Sequence, residues 1–203
     1  MKDAFPRALE LAPPGRRKKA LRYVKEEDRL RSLSAALLMR TFLGAEEDGD
    51  VLWDYQGRPE LKKGLPFFSL SHSGGYAALS AASFRHGLDV EDLSRPVKFE
   101  SLLNRALSPE ESGQKDFLSQ DARAFFRLWT RKESLLKALG LGLRLDPASF
   151  SVSPLFRESV AALGREWFFH TIEFDGHLFT LAADRGPLAA ELFPVSPKEL
   201  LEP

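Results

Sequence analysis

Trp129-Thr130-Arg131-Lys132-Glu133-Ser134-Leu135-Leu136-Lys137 is the stretch from which this chain is best read. Around it, Phe125, Leu128, Leu135 and Leu139 recur at helical spacing, and Gly140 supplies a stop. That pattern predicts a helix over 121–139. Glu133 and Lys137 are four residues apart and fall on one face, with Trp129 a turn earlier. The pair has two readings. It is a surface ion pair worth about 0.3–0.5 kcal/mol, or an acid-base pair at a phosphoryl group.

About forty residues upstream stands Gly87-Leu88-Asp89-Val90-Glu91, read as a short strand. Side chains at i and i+2 share a face, so Asp89 and Glu91 point the same way and Val90 points opposite, into the core. Two converged carboxylates repel unless a cation or proton lies between them. With no His or Cys alongside, hard oxygen ligands favour Mg²⁺ over zinc. The bland alternative is a polar strand end with solvated acids.

Further out, Phe67-Phe68-Ser69-Leu70-Ser71 and Tyr76-Ala77-Ala78-Leu79-Ser80-Ala81 flank Ser73-Gly74-Gly75 and read as paired strands. Leu30, Leu33, Leu37 and Leu38 before Gly44 predict a helix over 26–43, with Arg31 off the apolar stripe and facing solvent or ligand. Residues 13–25 read as a loop running into a basic first turn. Glu166 to Phe174 and His177 to Ala183 flank Asp175-Gly176, a hairpin turn signal. Helix then hairpin, twice over, suggests two related α+β lobes, with the crossover at 94–98.

Arg16, Arg17, Lys18, Lys19 and Arg31 form a basic cluster, and residues 1–40 hold eleven Lys or Arg against five Asp or Glu. The whole chain balances 29 basic with 29 acidic residues, which argues against a general nucleic-acid binder. A local basic patch on a neutral chain fits a compact polyanion instead. Hydrophobic residues, 43% of 203, suffice for one core or two small lobes. The absence of cysteine excludes disulfides, thiolate metal sites and a cysteine nucleophile. Met1-Lys2-Asp3-Ala4-Phe5-Pro6 lacks a signal-peptide stretch, and no run approaches ~18 apolar residues, so a cytoplasmic location without membrane partner is expected. Ser71, His72 and Asp89 suggest a hydrolase triad, but without a nucleophile elbow. His72 equally serves as a phosphate donor or a structural histidine.

Taken together, Gly57-Arg58-Pro59, Leu70-Ser71-His72-Ser73, Gly87-Leu88-Asp89-Val90-Glu91 and Trp129 to Lys137 resemble the 4′-phosphopantetheinyl transferases, in their two-lobed monomeric form. Gly142-Leu143 and Ser149-Phe150-Ser151-Val152 add to the likeness, which runs from about Arg16 to Ala183. The resemblance implies an α+β fold of two similar pseudo-symmetric lobes, each a small antiparallel sheet packed with a long helix. The lobes are expected at 1–95, with the nucleotide site and two metal carboxylates, and at 96–203, with Glu133 and Lys137. Coenzyme A and Mg²⁺, for which Mn²⁺ substitutes, are expected in the cleft between them. It further implies that Asp89, Glu91 and Glu133 hold the metal, Glu133 is the general base, and Lys137 contacts the phosphate and protonates the leaving group. Ser71 and His72 would meet phosphate, with Arg16, Lys19 and Arg31 around the 3′-phosphate and pyrophosphate. Gly57, Arg58 and Pro59 would lie along the adenine. The reaction implied is transfer of phosphopantetheine to a serine of an apo acyl or peptidyl carrier protein by a monomer. The family usually has Gly-Lys-Pro where Arg58 stands, and often Asn where Ser69 stands. The alternatives are a non-catalytic coenzyme A- or carrier-binding module, another Mg-dependent phosphotransferase or hydrolase, and a nucleic-acid binder using residues 16–31.

Overall fold

The computed structural model describes residues 5–55, 57–96 and 99–202. The chain divides into two compact units. One runs to Phe84 and takes in the chain from Glu191 onward; the other is Arg85–Ala190.

The first unit opens with α1 (Phe5–Leu11), α2 (Pro14–Arg22) and α3 (Glu26–Leu43). α2 replaces the loop expected at 13–25. Pro14 there occupies the first turn, where a missing N–H costs nothing and a fixed φ favours the helix. α3 matches the predicted span. Glu26, Glu27 and Asp28 sit at its positive end, Arg40 at its negative end, and Gly44 closes it at φ 65°. Two antiparallel hairpins follow: β1 (Val51–Trp53) with β2 (Pro59–Leu61), and β3 (Phe67–Ser73) with β4 (Tyr76–Ala82). The first has no counterpart among the strands read from the sequence. The second turns at Gly74-Gly75, with Ser73 paired to Tyr76. Ala20, Leu33, Ala36 and Leu37 form one buried cluster, and Met39, Leu43, Val51 and Phe68 another.

The second unit holds β5 (Gly87–Asp92), α4 (Phe99–Ala106), α5 (Lys115–Gln120) and α6 (Ala122–Leu139). β6 (Ser159–Ala162), β7 (Arg165–Phe174) and β8 (His177–Ala183) complete a four-stranded antiparallel sheet in the order β5-β8-β7-β6. Asp175 and Gly176 both take positive φ, 45° and 69°, as the mirror-image hairpin turn requires. The Asp121 side chain caps α6 by accepting from Ala124 N, and Gly140 closes it at φ 74°. The fully buried Phe125, Phe126, Leu128, Leu135 and Leu136 make α6 the centre of this core. The short helix α7 (Pro197–Leu201) buries Leu200 in the first unit.

The division expected at residue 95 therefore falls at residue 84. β5 pairs with β8 along its whole length, from Gly87–Ala182 to Asp92–His177, so its carboxylates belong to the second unit. Of the expected crossover, residues 97–98 lie outside the described residues. The architecture is α+β throughout. Each unit has an 18-residue helix and an antiparallel hairpin, but the first has two two-stranded sheets where the second has one of four strands. Among the described residues no helix is long and apolar enough to cross a membrane.

Candidate active site

The position of the carboxylates begins with a missing side chain. A Cβ on Gly87 would lie 1.9 Å from the Ser134 carbonyl oxygen and 2.5 Å from Ala138 N. Only glycine lets β5 run against the backbone of α6 at this point. Strand alternation then turns Asp89 and Glu91 to the same side as Gly87. Asp89 Oδ1 accepts from Lys137 Nζ at 2.8 Å, and Glu91 Oε2 lies 3.2 Å from the Arg95 guanidinium. Both carboxylates are buried, at 6% and 8% exposure, so the reading of solvated strand-end acids does not hold.

On α6, Trp129, Glu133 and Lys137 are partly exposed, while 130–132 and 134–136 are buried. This is the spacing of one helix face rising along the rim of the core. Glu133 has its pKa pushed up to about 7. Burial is the main cause and the charge of Asp89 adds to it; Lys137 opposes, and Glu91 contributes a smaller push upward. Glu133 therefore feels both strand carboxylates, as the sequence spacing alone could not show.

Among the described residues, no three His, Cys, Asp or Glu side chains form a ready-made metal cage. The donors nonetheless suit an oxygen-seeking divalent cation: three carboxylates and no sulfur or imidazole. Asp89 and Glu91 are paired to Lys137 and Arg95, so an incoming cation would exchange with these side chains.

The rest of the Trp129–Lys137 block is scaffolding. Arg131 donates to the carbonyls of Val152 (3.3 Å), Pro154 (3.0 Å) and Arg157, and lies over the Phe169 ring. Lys132, fully buried, meets Glu111 at 2.6 Å and donates to the carbonyls of Pro147 and Phe150, both at 2.7 Å. Glu111 accepts from Ser108 N and Val152 N, so this buried pair is fully hydrogen-bonded. Thr130 meets Thr180 of β8 at 2.8 Å. These residues pin the segment 147–157 and the sheet to α6. Sequence reading missed Glu111, although Ser108-Pro109-Glu110-Glu111 carries the capping-box signal that fixes it.

In the first unit, Arg16 and Lys19 line a cavity of about 430 Å³ with Asp48 and Trp53. The Arg16 guanidinium lies 4.7 Å from the centre of the Trp53 ring and Lys19 Nζ 5.9 Å. Arg16 Nη2 is buried without a hydrogen-bond partner among the described residues. Burial lowers the pKa of Arg16, against the charges of Asp48 and Tyr23. Lys19 is lowered by burial and by the charge of Arg16. Asp48 Oδ2 accepts from Gly15 N at 2.6 Å, at the start of α2. Trp53 and Asp48 carried no sequence signal, because only the fold brings them to Arg16.

Arg31, Gly57, Arg58 and Pro59 do not line this cavity. Arg31 pairs with Asp28 one turn back on α3. Arg58 sits in the β1–β2 turn, where its N–H donates to Asp54 Oδ1 at 2.8 Å; Gly57 takes φ 86° and Pro59 pairs with Trp53. Ser71 is buried and His72 exposed on β3, and as strand neighbours they project to opposite faces. The triad reading of Ser71 and His72 fails on that geometry.

The family model of the 4′-phosphopantetheinyl transferase superfamily matches residues 85–185. The 4′-phosphopantetheinyl transferase Sfp of Bacillus subtilis is 31% identical over 157 residues, covering 72% of this chain and 68% of its own. A Synechocystis sp. protein, named provisionally as a 4′-phosphopantetheinyl transferase, is 31% identical over 133 residues, 60% of this chain and 54% of its own. The mouse L-aminoadipate-semialdehyde dehydrogenase-phosphopantetheinyl transferase is 27% identical over 217 residues, 89% of this chain and 69% of its own. The chain thus spans about half the length of the Synechocystis relative and just over two thirds of the other two. It belongs to the 4′-phosphopantetheinyl transferase superfamily, and its enzyme class is phosphopantetheinyl transferase.

Proposed function

We propose that this chain transfers the 4′-phosphopantetheine arm of coenzyme A to a serine hydroxyl of an apo carrier protein, with Mg²⁺, and releases adenosine 3′,5′-bisphosphate. The observation that carries the reading is the gathering of acidic and basic groups where β5 packs on α6: the buried Asp89 and Glu91 share one side of the strand, Lys137 donates to Asp89 at 2.8 Å, and the charges of both strand carboxylates act on Glu133. Carboxylates that raise one another's proton affinity suit a bound cation, and a carboxylate held beside the reacting hydroxyl suits proton acceptance.

Asp89, Glu91 and Glu133 would hold the cation, which supplies charge neutralisation at the pyrophosphate. Glu133 accepts the proton of the incoming serine hydroxyl as the new O–P bond forms. The P–O bond to adenosine 3′,5′-bisphosphate breaks, and the electron pair leaves with that oxygen. Lys137, released from Asp89, donates to the departing phosphate and offsets its charge. Arg16 and Lys19 meet the anionic nucleotide end of coenzyme A. The Arg16 Nη2, buried and without a hydrogen-bond partner among the described residues, supports that role, since an unsatisfied buried N–H is costly and a phosphate oxygen satisfies it.

Chromatography of the nucleotide products tests this reading against its enzymatic rival. Adenosine 3′,5′-bisphosphate is expected only when coenzyme A, carrier and Mg²⁺ are all present. Release without carrier would assign the carboxylates to a phosphotransferase or hydrolase instead.

A further inference from the structure

We infer that the Trp53 indole is the platform on which the purine of the ligand stacks, and that the cations covering it couple base binding to phosphate binding. The inference rests on the coenzyme A reading and deepens it by naming the base-recognising residue. Trp53 ends β1 with half its surface exposed, on the wall of the 430 Å³ cavity. The Arg16 guanidinium and Lys19 ammonium both lie within 6 Å of its ring centre. A cation over an indole is held by the ring's negative face.

The same Arg16 carries the buried Nη2 without a hydrogen-bond partner among the described residues, and feels the charge of Asp48. The cavity therefore joins an aromatic face to a guanidinium nitrogen in need of an acceptor. A base linked through ribose to a phosphate satisfies both at once. A phosphate draws Arg16 into charge-assisted hydrogen bonds and loosens its hold on the indole. The base then takes the ring face, where stacking is favourable for any purine. A purine without phosphate must instead displace the cations unaided. The basic residues were legible in the sequence as an anion site; Trp53 was not, because its role arises only from the tertiary approach of β1 to α2.

The test uses the full-length protein with Trp53→Ala and Trp53→Phe, titrated calorimetrically with adenosine 3′,5′-bisphosphate and with inorganic pyrophosphate. Trp53→Ala should weaken the bisphosphate about tenfold or more, leave pyrophosphate unchanged or tighter, and recover with Trp53→Phe. Retained pyrophosphate binding also certifies that the variant is folded. Equal losses for both ligands, or no loss for either, would overturn the role of Trp53. Failure of the wild-type protein to bind the bisphosphate would overturn the coenzyme A reading, and this inference with it.

Discussion

Glu133 is the proposed general base, and its environment makes a signed prediction. In the metal-free protein its pKa stands at about 7, raised by burial and by Asp89. An ordinary glutamate titrates near ~4.3. Between those values the folded chain binds more protons than the unfolded one, so stability falls as pH rises through the window. The Glu133→Gln variant removes that slope. It should match wild type near pH 4 and exceed it at pH 8 by up to roughly 3 kcal/mol. Thermal melts of both proteins at the two pH values measure this; parallel curves would show that Glu133 is not held protonated by the fold. At the same scale, the roles assigned to Asp89, Glu91, Glu133 and Lys137 came from matching a family pattern. Arg95, Asp48 and Trp53 had no such pattern to announce them. Their significance lies in neighbours from other elements, which local sequence does not specify.

At the scale of elements, the site depends on how closely β5 approaches α6. Gly87→Ala forces a Cβ into the Ser134 carbonyl, which is backbone and cannot rotate aside. Overpacking of this kind costs about 1–3 kcal/mol or more. Gly113→Ala is the control in the same unit, since nothing lies within 4 Å of its added Cβ. Denaturant unfolding should show the first substitution lowering stability by at least about 2 kcal/mol and the second by under about 0.5 kcal/mol. Equal effects would mean that the close packing of strand on helix is not what positions Asp89. α3, α6 and the β3–β4 and β7–β8 hairpins were legible because periodicity and turn glycines act over a few residues. α2 was misread because Pro13-Pro14-Gly15, a loop signal in isolation, here opens a helix. β1 and β2 are three residues each, too short for alternation to mark them.

At the scale of the molecule, the plan of helix followed by hairpin was visible twice in the sequence, but the boundary was not. β5 looks like the last strand of the first hairpin group. Its partner β8 lies some ninety residues later, and the choice is made by long-range pairing and by the α6 packing beneath it. All three candidate metal carboxylates and Lys137 consequently lie in one compact unit, while the basic cavity lies in the other.

The central claim is that this chain loads carrier proteins. Intact-mass analysis tests it most directly, using a panel of apo carrier proteins incubated with coenzyme A, Mg²⁺ and either the wild-type protein or Glu133→Gln, with an EDTA control. The account predicts that a carrier gains one phosphopantetheine arm with wild type, that EDTA abolishes the gain, and that Glu133→Gln slows it by ~10²–10⁴. A carrier panel left unmodified by the wild-type protein, or a Glu133→Gln rate equal to wild type, would contradict it.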